Sequence, residues 1–523
     1  MRPLQAVSLA LWAFPLALLL SGCPDNRPGA SAKPVGPAPA ASAQAAAAPL
    51  PPLEKVATPP GTFYTPPYLQ LGAAGHPGSL AVVWHARESD AAASWSLEVR
   101  QGGSGEWRKA AAENGPVSRP VAVRTGGAGA GGPVPAHRVV AAQVTGLAPG
   151  QPFDYRVLRK GAPVFAARAL APKPATDPGF RFVAFGDCSD GSSGQKRVAF
   201  QAYSEKPDFV LVTGDIVYDR GRASEYRDRF FPIYNASGDP SPKTGAPLMR
   251  STLFVGVSGN HDLAYANLGR FPDGLAYYYY WEQPLNGPQL TPRGRNTPPI
   301  TGPETAVAAF RAGAGANYPR AANFSFDYGN AHFTILDANY YVDWTGPELR
   351  AWLEKDLAAA QTAAWRFVGL HVPPFHSSRK HQDEQWVRVL TDLFEKYKVD
   401  LVISGHVHNY QRSKPIRFQA VRGLDGNFVG RGGRVRGEMA LDEAYDGETR
   451  TRPNGVIYLV TGAGGGSLYD RGQQDKPESL QPFTAKYIAD NYSLTVFDVS
   501  DRTLTVRQVD AAGKERDRFV VAK

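Results

Sequence analysis

Five short polar motifs close five apolar runs in this chain, and their residue types are those that hold hard or borderline cations. In order they are VAFGD ending at Asp187, LVTGDIVY with Asp215 and Tyr218, FVGVSGNHD with Asn260 and His261, FVGLH ending at His371, and LVISGHVH with His406 and His408. Asp, Asn, Tyr and His offer oxygen and nitrogen donors without a thiolate. Two-metal hydrolases keep their cations about 3.5–4 Å apart, which calls for a bridging carboxylate, and Asp215 in the second motif is the natural one. One cation would take Asp187, Asp215, Tyr218 and His408; the other would take Asp215, Asn260, His371 and His406. His406 and His408 are two residues apart, so an extended strand end would turn both imidazoles to one side. Of ten histidines, seven lie between 261 and 408. Of these, His332 sits inside the strand-like NAHFTIL and is expected to be structural.

The elements that must position these residues follow from the runs before them. Each run has strand length and is rich in Val, Phe, Leu and Ile, the pattern of a strand buried on both faces. The polar residues therefore fall where strands stop. In open α/β sheets that carboxyl edge is where loops converge on a ligand. A single Gly-Asp or Gly-His pair is ordinarily a turn; five in the same structural position point to a site. From Phe182 onward, strands alternate with helical stretches. Thr345-Gly-Pro-Glu348 reads as a capping box with Pro347 in the first turn, leading a helix whose Leu349, Trp352, Leu353 and Leu357 share a face. A second helix is expected over Asp383 to Tyr397, with Trp386, Val387, Leu390, Leu393 and Phe394 inward. Two Gly/Pro/Tyr/Arg-rich insertions, about 264–322 and 409–453, follow site motifs and are placed to wall the site. The tail from Gly455 reads as further strands ending in a hairpin that completes a second sheet.

The 523 residues suffice for two or more domains; 43% are apolar, and 54 Gly with 45 Pro imply many turns. Arg2 precedes an uncharged stretch from Ala6 to Leu20, broken by Pro15 and too short to span a bilayer. It closes on Leu20-Ser21-Gly22-Cys23, which resembles a bacterial lipoprotein cleavage box with Cys23 lipidated. Residues 1–22 are accordingly expected to be a signal peptide, and 23–61 an Ala/Pro-rich tether. This implies an exported protein anchored to the cell envelope, or alternatively a secreted one. Cys188 is the only other cysteine, and it is expected to be a small buried residue. Net charge is +9, falling to +8 without Arg2. Such a mild excess suits anionic substrates and gives no ground for specific nucleic-acid binding. Residues 62–175 read as an all-β sandwich: Ser79–Ala86, Ser94–Gln101, His137–Leu147 and Phe153–Lys160 are strand-like, with Trp84 in the core.

GD, GDxxY, GNHD, a strand-end His and GHVH, together with FSFDYGNAHFTILD, GHVHNYQR and VTGAGGG, resemble the purple acid phosphatases within the calcineurin-like metallophosphoesterases. VTGLAPGQPFDYRV ahead of them is similar to the strand–turn–strand of fibronectin type III domains. The resemblance covers about residues 62–520. It implies a β-sandwich followed, over 180–523, by a catalytic domain of two packed β-sheets flanked by helices. It further implies a dinuclear centre of Fe(III) with a divalent Fe, Zn or Mn. The implied activity is hydrolysis of phosphomonoesters, as an acid phosphatase, on a phosphorylated small molecule or nucleotide, by hydroxide generated at the two metals. Phosphodiesterase or nucleotide hydrolase activity on the same core, or a non-catalytic surface lipoprotein, are the alternatives. The wider superfamily carries Asp-x-His in the first motif, where this chain has Ser189. Tyr218 instead matches the purple subgroup, whose usual Gly is also replaced by Ser189. His261 is the expected partner of the phosphoryl group or leaving oxygen, and His376 and His381 are candidates for a second proton donor. Tyr410 and Arg412 are expected to support their loop, and the arginines at 417, 431 and 434 to be solvated or to meet an anionic leaving group.

Overall fold

Three short strands, Phe180–Phe185, Phe209–Val212 and Leu253–Gly256, apolar throughout but for Arg181, lie side by side and parallel, with Phe209 opposite both Phe182 and Leu253. They form the middle of a ten-stranded sheet in a computed structural model that describes residues 50–110, 115–121 and 133–523. The expected leader and Cys23 lie outside the described residues, as does most of the tether. Both faces of these strands are covered, which is why their sequences are continuous rather than alternating.

The second sheet has seven strands and holds the other two site strands, Trp365–Leu370 and Leu401–Ser404, parallel and adjacent. Its strands Phe324–Tyr328 and Ala331–Leu336 form an antiparallel pair at one edge. The two sheets meet face to face through phenylalanines. Phe182 stacks on Phe209 and Phe497, with ring centroids at 5.0 and 4.2 Å, and meets Phe333 edge-on at 5.3 Å. Phe333 in turn stacks on Phe367 at 4.9 Å. Buried rings in such offset and edge contacts add to the transfer energy of their area, so this layer fixes the spacing of the two strand sets.

The tail divides between the sheets instead of completing one. Ile457–Thr461 and Thr484–Ile488 enter the seven-stranded sheet, whereas Ser493–Val499, Thr503–Asp510 and Glu515–Ala522 extend the ten-stranded one. Phe497 lies opposite Phe182 in register, and the stacking of these two rings gives the hairpin its place.

The N-terminal strands share that larger sheet. Thr65–Gln70 pairs with Leu253–Gly256 through Gln70 and Phe254, and Leu80–Arg87, His137–Val144 and Val117–Val121 continue outward. A four-stranded sheet that includes Trp95–Gln101 and Pro152–Arg159 packs on them around the fully buried Trp84.

Pro347–Ala359 is helical, with Leu349, Leu353 and Leu357 buried, but the capping box does not form. Gly346 is the N-cap, because the Thr345 hydroxyl donates to Asp343 at 2.5 Å instead. The second expected helix shortens to a 3-10 turn, Trp386–Leu390, followed by Thr391–Lys396. His332 bridges Asp327 and Asp356 at 2.7 and 3.1 Å, far from the strand-end motifs in role. No helix among the described residues is long and apolar enough to cross a membrane.

Candidate metal centre

All five motifs sit just past the carboxyl ends of their strands, three from one sheet and two from the other. Asp187 follows Phe180–Phe185, Asp215 follows Phe209–Val212 and Asn260 follows Leu253–Gly256; His371 directly follows Trp365–Leu370, and His406 follows Leu401–Ser404. Because the sheets pack face to face, the two sets of loops converge. Asp187, Asp215, His371 and His406 are buried.

The turns that deliver these residues are sharp. Asp187, Asp215 and His406 have φ of 56°, 45° and 67°, a left-handed conformation that costs a non-glycine residue of order 1 kcal/mol or more and recurs at functional sites. His406 and His408 are therefore not aligned by extended backbone, as their spacing suggested. The left-handed turn sends His406 towards Asn260 and His408 towards Asp187 and Tyr218. Gly214 lies at φ 88°, where a Cβ would run into the His371 imidazole, so only glycine lets these two loops touch.

The hydrogen bonds assign the histidine tautomers. His371 Nδ1–H donates to the Thr213 carbonyl (2.8 Å), His408 Nδ1–H to the Ser467 carbonyl (2.8 Å), and His406 Nε2–H to the Glu384 carboxylate (2.8 Å). Each ring is then left with one bare nitrogen, and all three face acceptors. His371 Nε2 lies 3.1 Å from Asn260 Oδ1 and 3.2 Å from Asp215 Oδ1; His406 Nδ1 lies 3.0 Å from Asn260 Oδ1. His408 Nε2 lies 3.4 Å from Asp187 Oδ1 and 3.0 Å from the Tyr218 hydroxyl, which itself donates to Asp187 at 3.1 Å. Lone pairs pointing at one another in a buried site need a cation between them or extra protons. The titration directions agree. Burial works to lower the His371 imidazole, yet the Asp215 charge and hydrogen bond, with Asp187 behind, carry it up to about 10. Asp215 is held well below the usual carboxylate range against the cost of its burial, chiefly by His371 and His261. Burial and the Asp187 and Asp215 charges hold the Tyr218 phenol protonated. The donor set thus fits cations held by Asp215, His371, Asn260 and His406 on one side and by Asp187, Tyr218 and His408 on the other.

Around this core, His261 spends Nδ1–H on the Asp219 carbonyl (2.9 Å), leaving Nε2 3.8 Å from Asp215 Oδ2. His381 packs its ring 4.1 Å from that of His406. His376 does not join them. It is buried, its Nε2 donates to the His381 carbonyl (3.2 Å), and burial first, then the His406 charge, lowers it to about 3. That makes it a neutral support of the loop rather than a proton donor.

Two residues at the site carried no signal in the chain. Glu384 joins His381 Nδ1 and His406 Nε2, each at 2.8 Å, although its sequence context is that of an ordinary polar turn. Tyr469 donates to the His406 carbonyl (2.7 Å) and lays its ring 4.7 Å from His408. Cys188 is buried and pushed up to about 12 by that burial, its thiol donating to the Ile216 carbonyl. Ser189 accepts from Gln195 Nε2 at 2.9 Å, and its carbonyl accepts from the Tyr218 amide at 3.3 Å, while the Asp190 carboxylate caps the Ser192 amide. Tyr410 and Arg412 both bind Asp517, tying their strand to the C-terminal one.

The fold and this cluster define a class. Residues 180–410 match the model of the calcineurin-like phosphoesterase family. Within the class it is purple acid phosphatase-like. It is 25% identical over 297 residues to Purple acid phosphatase 23 of Arabidopsis thaliana, covering 52% of this chain and 57% of the relative. It is 25% identical over 415 residues to a protein named Probable inactive purple acid phosphatase 1 of the same plant, covering 72% of this chain and 56% of the relative. The chain thus spans little more than half the length of these curated relatives. Among solved structures, the purple acid phosphatase PPD1 from yellow lupin (Lupinus luteus) seeds shares the fold, with a TM-score of 0.57 at 18% identity, over 87% of this chain and 74% of that one.

Proposed function

We propose that this protein is a metal-dependent phosphoric ester hydrolase, acting as an acid phosphatase on phosphomonoesters at a centre of Fe(III) with a divalent Fe, Zn or Mn. One observation carries the reading: three histidine lone pairs converge on Asp187, Asp215 and Asn260 with their other nitrogens already committed. Two cations there would neutralise phosphoryl oxygens and acidify water. The chain's own residues do the rest. His261, fixed through Nδ1, presents Nε2 beside Asp215, in reach of a phosphoryl oxygen or a leaving oxygen that needs a proton. His381, its Nδ1 committed to Glu384, is the second proton carrier this reading favours. Tyr218, adjacent to both Asp187 and His408, favours a ferric ion, because a hard phenolate oxygen stabilises the higher charge.

A non-catalytic reading has one observation behind it, the relative named as probably inactive. Against it stands a donor set with no member replaced. The test is the full chain loaded with iron and zinc, followed by metal analysis, a visible spectrum and a phosphomonoester assay on one sample. Two metals, turnover and a broad visible band that Tyr218→Phe abolishes are expected. Turnover without colour would remove the ferric-tyrosinate assignment. Absence of both metal and turnover would sink the enzyme.

A further inference from the structure

The loop that brings His381 and Glu384 to the metal cluster has a second side. There His376, Gln382 and Gln385 wall a cavity of about 590 Å³, closed by the segments around Arg434 and Gln481. Four arginines line it, Arg379, Arg388, Arg434 and Arg436, against one carboxylate, Asp383. Arg434 takes that carboxylate, its Nε 2.7 Å from Asp383 Oδ1. Arg388 has no carboxylate partner among the described residues. Its Nε donates to the Pro374 carbonyl (2.7 Å) and its guanidinium lies 4.5 Å from the Phe375 ring. Burial lowers it to about 10, and no carboxylate offsets that, only the Tyr458 phenol. An ion held this way, with fork nitrogens left to a concave and net positive surface, is short of an anion. The wall is also built rather than loose. The Ser377 amide donates to Gln411 (2.7 Å), the Arg379 amide to Gln473 (3.1 Å), and the Ser378 hydroxyl to Asp470.

We propose that this cavity is a second binding site, for a phosphate-class oxyanion gripped by Arg388 and Arg379. A planar guanidinium matches two oxygens of such a group at once. The anion has two possible sources: the second phosphate of a doubly phosphorylated substrate, or free phosphate of the kind turnover releases. The first rests on the function proposed above; the second does not. Because His376 lines the cavity and also holds the His381 carbonyl, an occupant bears on the loop that positions His381 and Glu384.

The test titrates inorganic phosphate into the metal-loaded full chain by calorimetry. In parallel, kcat/KM is measured on a sugar bisphosphate and on p-nitrophenyl phosphate. A phosphate site that the exposed Arg379→Glu removes, and that Arg388→Lys weakens at least fivefold while keeping the charge, is expected. If the bisphosphate-to-monophosphate ratio of kcat/KM also falls about tenfold in these variants, the occupant is the substrate's second phosphate. A constant ratio with the phosphate site lost assigns free phosphate. Phosphate binding and substrate ratio both indifferent to the two substitutions would overturn the inference. A chain that hydrolyses no phosphoester refutes the proposed function but leaves the phosphate titration to score the cavity.

Discussion

Replacing Glu384 by Gln isolates what the carboxylate does for the cluster. One oxygen accepts from His381 Nδ1–H and the other from His406 Nε2–H, both at 2.8 Å. Burial alone would raise this carboxyl, but the two imidazole hydrogen bonds hold it well below its ordinary range. An amide can keep only one of the two contacts, since its NH2 arm would face an N–H donor. If His406 is the ring that loses, it must turn away or move its proton to Nδ1, the nitrogen that faces Asn260 at 3.0 Å. Either change removes a lone pair from the proposed second cation. Losing such an outer hydrogen bond costs about 10- to 100-fold in metal affinity, or about 1.4 to 2.8 kcal/mol. Glu384→Asp, one methylene shorter, cannot span both rings and should fall in the same range. The assay is metal retained per chain after dialysis against graded chelator, with thermal unfolding as the control for folding. One of the two metals should be lost at a chelator concentration 10- to 100-fold lower than in the wild type. Retention of both at the wild-type concentration would refute the claim that Glu384 fixes the His406 tautomer.

Two further outcomes follow from geometry away from Glu384. His332 is carried up to about 9 by its hydrogen bonds to Asp327 and Asp356, against the opposing effect of burial. Its folded value exceeds the unfolded one of about 6.5, so its stabilisation is complete below about pH 6.5 and is lost as pH rises through 9. Screening at the exposed Asp327 limits it to about 2 kcal/mol; chemical denaturation of wild type and His332→Gln should differ by this amount at pH 6 and converge near pH 10, and a difference that persists at high pH would contradict the assignment. Gly405→Ala would place a Cβ 2.6 Å from both Asp187 Oδ2 and the Thr213 carbonyl. An overpacking cost of about 1–3 kcal/mol with loss of bound metal is expected, and a variant that melts and retains metal like wild type would show that the loops are not in contact as described.

What the amino-acid sequence determined by itself was the placing of chemistry at strand ends. Asp187, Asp215, Asn260, His371 and His406 each follow an apolar run interrupted by nothing more polar than Gly, Ser or Thr, the pattern of a covered strand, so the first carboxylate, amide or imidazole beyond it lands on the sheet edge. That inference is local, and it needs no knowledge of which strands are neighbours. The β-strands around Trp84 were legible for the same reason, from period-two patterning and turn residues. Tertiary structure decided everything that depends on partners distant in the chain. The tail hairpin joined the first sheet because Phe497 stacks on Phe182 across more than 300 residues, a preference that no local pattern encodes. The left-handed turn at His406 overrode the alternation that its spacing implied, since Gly405 and His406 must pass over Asp187, whose carboxylate accepts the His406 amide at 2.8 Å. Glu384, Tyr469 and Arg388, which lacks a carboxylate partner among the described residues, carry ordinary surface sequence. They matter only because packing of the two sheets brings their loops against the histidines, and hydrogen bonds act over about 3 Å of space, whatever the separation in sequence.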